Sequence, residues 1–322
     1  MAQTLLILSD VHYASDAEKT RSNFEARAVA NRFQRWALKK YRHYIWMRDP
    51  FAHNHLLDQV LAHPAPADRV IANGDYSCDS AFIGVADAAA RQSALECLTK
   101  LRERFPGRFL ATIGDHELGK RSMAGGNGGL RFASWKIATE QLGLEPFWKH
   151  DLGRYVLIGV ASSPIALPVY QPEILAEEAA DWNSVRAAHL KKIREGFDQV
   201  DPAQKILLFC HDPSALPFLW REEPVRKRLP QVERTVVGHL HTNLVFQQTR
   251  LLSGIPTIRC CGNAVRRMST ALSEARLWRP FRVLLCPALA GCELLKDGGY
   301  YTATLDPSGR KPAEFTLHKL RR

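Results

Sequence analysis

Five apolar runs in this 322-residue chain each stop at a residue able to bind a metal ion. Thr4–Leu8 runs into Ser9-Asp10-Val11-His12, Arg69–Asn73 into Gly74-Asp75, and Arg108–Ile113 into Gly114-Asp115-His116-Glu117. Lys205–Cys210 runs into His211, and Thr235–Val237 into Gly238-His239-Leu240-His241. Short apolar runs rich in β-branched residues read as buried strands. Open α/β sheets hold ligands beyond the carboxyl ends of their strands, so three aspartates and five histidines are expected to gather there. If the loop after the last run is extended, His239 and His241 point the same way into one small volume.

The stretches between these runs read as helices: 53–63, 86–105, 131–142 and 182–200. Strand, helix, strand in that rhythm implies parallel βαβ units. Further strands are expected at 155–161, 257–260, 300–305 and 314–317. The chain can bury a sizeable core, being 46% hydrophobic and 24% charged. No apolar run approaches the ~18 residues of a spanning helix, and Met1-Ala2-Gln3 leads straight into the first run rather than into a signal peptide. Seven scattered cysteines without CxxC spacing suit a reducing cytoplasm. The net charge of +11 favours a polyanionic partner: nucleic acid, an anionic membrane surface or a phosphorylated substrate.

From Lys19 to Arg48, nine Lys/Arg stand against one acid, Glu25. Arg32, Arg35, Lys39 and Arg42 fall on one helical face beside a stripe of Val29, Phe33, Trp36, Ala37, Tyr41 and Tyr44. Three readings stay open: a helix packed on a sheet by its aromatics, an interfacial helix on anionic headgroups, and a nucleic-acid contact. The Gly-rich stretch 123–129 lacks a GK[ST] ending and reads as a lid or a connector. Arg259, Arg266, Arg267, Arg276, Arg279 and Arg282 form a second basic zone before the apolar run 283–291. That run is too short to span a bilayer and reads as buried packing, with a lipid-facing segment as the alternative.

Asp10-x-His12, Gly74-Asp75, Gly114-Asp115-His116-Glu117, His211 and Gly238-His239-x-His241 stand in the order of the calcineurin-like metallophosphoesterases, a family that residues 4–262 resemble. The resemblance implies an α/β fold, a four-layer α/β/β/α sandwich forming a single domain over residues 1–322. Helical basic-aromatic insertions would lie at about 17–63 and 263–296. It also implies two divalent ions, Mn ahead of Fe, Zn or Co. Asp10, His12, Asp75 and His241 would hold the first ion; Asp75, Asp115, His211 and His239 would hold the second. His116 would contact phosphate or protonate the leaving oxygen, with Glu117 orienting its ring.

One position departs from the family, which usually has Asn where this chain has Asp115. A carboxylate in place of an amide lowers the charge of the centre by one. Tighter metal binding and weaker attraction for an anionic phosphate are expected. Natural variation, a substitution that slows turnover and a weakly active homologue all remain open.

Within the family, the basic-aromatic insertions resemble those expected of the UDP-2,3-diacylglucosamine hydrolases of lipid A synthesis. That likeness implies a lipid-linked pyrophosphate substrate, peripheral contact with the inner face of an anionic membrane, and phosphate contacts from Lys120, Arg121, Arg266 and Arg267. A nucleotide or nucleic-acid phosphodiesterase, with Trp36 and Tyr41 stacking bases, and a catalytically silent metal-binding protein are the alternatives.

Overall fold

Residues 2–123, 126–260 and 262–320 are described by a computed structural model. Among the described residues, ten strands form two five-stranded sheets. The first runs β10 (Glu314–Lys319), β9 (Gly299–Leu305), β1 (Gln3–Leu8), β2 (Arg69–Asn73), β3 (Phe109–Thr112). The second runs β4 (Phe147–Leu152), β5 (Tyr155–Val160), β6 (Lys205–Cys210), β7 (Val232–Val237), β8 (Val283–Leu285). β1, β2 and β3 are mutually parallel, as are β5 to β8, whereas β9, β10 and β4 join antiparallel.

Alternation along the strands builds four layers. Leu5, Ile7, Ile71, Leu157, Leu207, Phe209 and Val236 point between the sheets into one shared apolar cluster with Trp148 and Tyr155. The intervening residues of the first sheet, Leu6, Leu8, Val70 and Ala72, and of the second, Val156, Ile158, Ile206 and Leu208, share the larger cluster with the helices. Leu98 and Leu101 of the Ala88–Arg104 helix and Leu56 and Leu57 of the Asn54–Ala62 helix belong to it, as do Ile193 and Phe197 of the Ala179–Asp198 helix. Because both faces of each sheet are covered, the central strands read as continuous apolar runs rather than alternating ones.

Several sequence expectations need correction. Residues 257–260 form no strand. Residues 147–152 are a strand that escaped notice because Lys149, His150 and Asp151 interrupt its apolar pattern. The helix Asn243–Leu251 was also missed. The segment 263–296 contains a sheet strand, β8, after which Cys286, Ala288, Leu289 and Ala290 are buried. Likewise the 17–63 segment includes the core helix Asn54–Ala62.

The largest difference concerns the basic-aromatic stretch. Its main helix, Arg32–Tyr44, starts at Asn31, whose side chain accepts the N–H groups of Phe33 and Gln34. None of its residues is buried. Phe33 is 74% exposed and Tyr44 60%, with Trp36 and Tyr41 also exposed, so the aromatics do not pack on the sheet. Arg42 pairs with Glu25 and Arg35 donates to the Val29 carbonyl. Among the described residues no helix is long and apolar enough to cross a membrane.

Candidate metal centre

The strands that end in candidate donors, β1, β2, β3, β6 and β7, bring them to one rim where the two sheets meet. Asn73, last in β2, ties this seam: its amide donates to the Val236 carbonyl, and its own carbonyl accepts from Ser9 Oγ and His211 Nδ1. Gly238 allows the close approach, since a Cβ there would overlap Ser9 Oγ and Asp10 Oδ2. Gly74, at φ +88°, turns the chain beside Gly114 and His211.

Two donor clusters result. One ligand atom from each of Asp10, His12, Asp75 and His241 falls within 4.8 Å of the others, and the same holds for Asp115, His211 and His239. His241 Nε2 lies 3.3 Å from His12 Nε2 and 3.2 Å from Asp10 Oδ1. His211 Nε2 lies 3.2 Å from both Asp75 Oδ2 and Asp115 Oδ1, so the first cluster adjoins the second at Asp75. His239 Nδ1 lies 2.9 Å from Asp115 Oδ1.

The loop carrying the two histidines is not extended. His239 (φ 58°) and His241 (φ 60°) are left-handed, and they enter different clusters rather than one volume. Asp10, His12 and Asp75 share this conformation, at φ 51°, 48° and 60°. Asp and His tolerate the left-handed region better than most residues, and such strain concentrates at functional sites.

Backbone carbonyls set the histidine tautomers. His12 Nδ1 and His116 Nδ1 both reach the Ser77 carbonyl, at 3.2 and 3.1 Å, and His211 Nδ1 reaches that of Asn73 at 2.5 Å. A carbonyl only accepts, so each Nδ1 carries a hydrogen, which leaves Nε2 of a neutral ring as the nitrogen free to ligate. This arrangement fits metal ions, because ligating histidines commonly donate their second nitrogen to such an acceptor. Three aspartates buried to 1% exposure or less would be costly without cations. Asp75 Oδ2, His211 Nε2 and His241 Nδ1 are buried without a hydrogen-bond partner. Mixed oxygen and imidazole donors suit a first-row divalent ion better than Mg or Ca.

Glu117 does not orient His116; the Ser77 carbonyl does. Both Glu117 oxygens serve the backbone instead. Oε2 accepts from Asp75 N at 3.0 Å and Gly114 N at 2.8 Å, and Oε1 accepts from Tyr76 N at 2.8 Å. Burial, and then Asp75, push the Glu117 pKa up to about 7 against these bonds. His116 Nε2 stands 3.8 Å from Asp75 Oδ2. Burial drives its pKa down to about 3 despite Asp75, so the ring is neutral near pH 7 and Nε2 accepts rather than donates.

The four expected phosphate contacts divide. Lys120 Nζ is 2.8 Å from Asp115 Oδ2. Arg267 donates to both Glu173 oxygens, at 2.9 and 3.0 Å, and to the Arg121 carbonyl at 3.2 Å. Arg121 N donates to Glu173 Oε2. Arg266 is exposed on the Asn263–Ser273 helix, and no described contact joins it to the donors. Glu173, Ser77 and Asn73 went unnoticed in the sequence; two of them act through carbonyls, which leave no residue-type signal. Trp46 was missed as well: its ring stacks on His241 at 5.1 Å and on Tyr41 at 6.4 Å, linking the exposed helix to the donors. Of the Gly-rich stretch, Ala124 and Gly125 lie outside the described residues. Its flanks are tied by Ser122 N to the Asn127 carbonyl and Gly129 N to the Phe82 carbonyl.

No protein-family model matches the sequence. No curated protein matches it significantly. Among solved structures, a phosphopantetheinyl hydrolase from Mycobacterium tuberculosis is similar at 15% identity, covering 74% of this chain and 83% of that one, with a TM-score of 0.36. A dimetal phosphatase from Danio rerio is similar at 11% identity over 94% and 92%, with a TM-score of 0.45. A metallophosphoesterase from Sphaerobacter thermophilus is similar at 16% identity over 100% and 90%, with a TM-score of 0.32. Likenesses this weak bear on neither substrate nor chemistry.

Proposed function

We propose that the chain is a two-metal hydrolase of phosphoric ester or anhydride bonds. The observation that carries this reading is the pair of adjoining donor clusters, with Asp75 of the first facing His211 of the second. Asp10, His12, Asp75 and His241 would hold one divalent ion, and Asp75, Asp115, His211 and His239 the other. Bound there, the ions would supply Lewis acidity, an activated water and charge stabilisation for in-line displacement. Asp75 would serve both ions: it belongs to the first cluster, and its Oδ2 faces His211 of the second. His116, held by Ser77 with its Nε2 lone pair inward, accepts a hydrogen bond from the reacting water or a leaving hydroxyl. Acting as an acid would require a doubly protonated ring, which its burial disfavours.

Within that class we favour an amphiphilic substrate at an anionic membrane surface, a lipid-linked pyrophosphate such as UDP-2,3-diacylglucosamine. The exposed Arg32–Tyr44 helix supports it, presenting Phe33, Trp36 and Tyr44 beside Arg32, Lys39 and Lys40 and reaching His241 through Trp46. A nucleotide or nucleic-acid phosphodiesterase is the second reading, favoured by the stacked, exposed Phe33 and Trp36 rings at 5.8 Å.

The test loads chelator-stripped protein with Mn and offers UDP-2,3-diacylglucosamine in anionic vesicles beside a nucleotide diester. Cleavage of the lipid-linked pyrophosphate, with vesicle binding lost on Phe33→Ser, Trp36→Ser and Lys39→Glu, is expected. Cleavage of the nucleotide diester alone, with steeply salt-dependent DNA binding, would favour the second reading. No hydrolysis of either, nor of bis-p-nitrophenyl phosphate, would remove the enzyme assignment.

A further inference from the structure

Asp115 uses its two oxygens for different tasks. Oδ1 turns to the imidazoles of His239 and His211, at 2.9 and 3.2 Å. Oδ2 turns away from them to the ammonium of Lys120, at 2.8 Å. Asp115 is fully buried, and the Lys120 side chain is only 21% exposed. An ion pair so placed is weakly screened, and either partner alone would be a costly buried charge.

The surroundings hold Lys120 in place. Gly119 precedes it at φ 90°, where a Cβ would meet the Gly129 carbonyl and Ile83. Arg121 follows it, with its N–H bonded to Glu173 and its carbonyl to Arg267. The backbone on both sides of Lys120 is thus held, and its ammonium rests against one carboxylate oxygen.

We propose that Lys120 and Asp115 work as one unit, a charge-neutralised ligand in which Lys120 occupies one oxygen and leaves the other to the second ion. The proposal rests on the two-metal reading above. It overturns the charge argument drawn from the sequence, in which Asp115 lowers the net charge of the centre. Lys120 returns the missing positive charge, and it holds Asp115 to a single-oxygen contact, so the carboxylate serves as an amide oxygen would. Lys120 is therefore a positioning residue that sets the affinity of the second ion and the charge met by an anionic substrate.

Four chains test it: wild type, Lys120→Met, Asp115→Asn and the double variant, with Lys120→Arg as the conservative control. Titration calorimetry with Mn reads the first and second equivalents separately, and thermal unfolding of the metal-free chains reads the pair. Lys120→Met should tighten the second equivalent about tenfold, since a cation no longer meets a neighbouring ammonium. Asp115→Asn should weaken it by at least tenfold, and adding Lys120→Met should recover most of that loss. Lys120→Arg should stay within threefold of wild type. Without metal, each single variant should melt lower than wild type, and the double variant higher than either single one. A double variant that melts below both singles, or an unchanged second equivalent in Lys120→Met, overturns the proposal. Wild-type protein that takes up fewer than two ions would instead overturn the two-metal reading itself.

Discussion

Replacing Glu117 separates a scaffold role from a chemical one. Its carboxylate accepts three buried backbone N–H groups, from Asp75, Gly114 and Tyr76. Leaving a buried donor unsatisfied costs about 1–3 kcal/mol, so Glu117→Ala should lose about 3–9 kcal/mol, comparable with the whole stability of many domains. Glu117→Gln is gentler. With its amide oxygen in the Oε2 position it keeps the bonds to Asp75 and Gly114, and only its NH2 faces the Tyr76 donor. That single mismatch should cost about 1–3 kcal/mol, or roughly 2–10 °C in melting temperature. The assay is thermal unfolding of chelator-treated protein, with kcat and KM for bis-p-nitrophenyl phosphate followed against pH. Glu117→Gln should melt lower, bind metal more weakly because Asp75 is less firmly held, and keep the shape of the pH profile. Unchanged melting together with a hundredfold fall in kcat and a displaced pH profile would refute the scaffold role.

Two further outcomes are expected. His189, buried in the Ala179–Asp198 helix with Nε2 against the Ala161 carbonyl at 3.1 Å, has its pKa driven down to about 4 by burial. The folded state therefore resists protonation that the unfolded chain accepts. The stability this contributes is complete above the ordinary histidine pKa of about 6.5 and is lost as pH falls through about 4. Urea unfolding should show His189→Gln losing about 2 kcal/mol less than wild type between pH 7 and 4.5; an equal loss would contradict this. Gly238→Ala, whose Cβ would overlap Ser9 Oγ and Asp10 Oδ2, should cost about 1–3 kcal/mol and weaken the first ion most, read by urea unfolding and Mn titration.

How much of this was legible in the sequence depends on how local the cause was. The five strand-end motifs were readable because buried strands leave long apolar runs and donors follow them directly. β4 was not, since Lys149, His150 and Asp151 lie in a half-exposed strand paired only with β5. The helix Arg32–Tyr44 was readable as a helix, but its burial was not. Periodicity tells which side chains share a face and says nothing of whether another element covers that face. Lys120 was expected near phosphate on charge alone, and only tertiary contact pairs it with Asp115. Glu117 followed the same course: a carboxylate next to a histidine suggests an orienting role, yet its oxygens reach back to three N–H groups.

The left-handed backbone at Asp10, His12, Asp75, His239 and His241 inverts a familiar ranking of replacements. In ordinary secondary structure alanine is the gentle truncation and glycine the harsh one. At these five positions a side chain of any kind is held in a conformation that glycine alone adopts freely. The polypeptide thus gives up some stability for the aim of each donor, so a glycine at any of the five removes a ligand while easing the backbone.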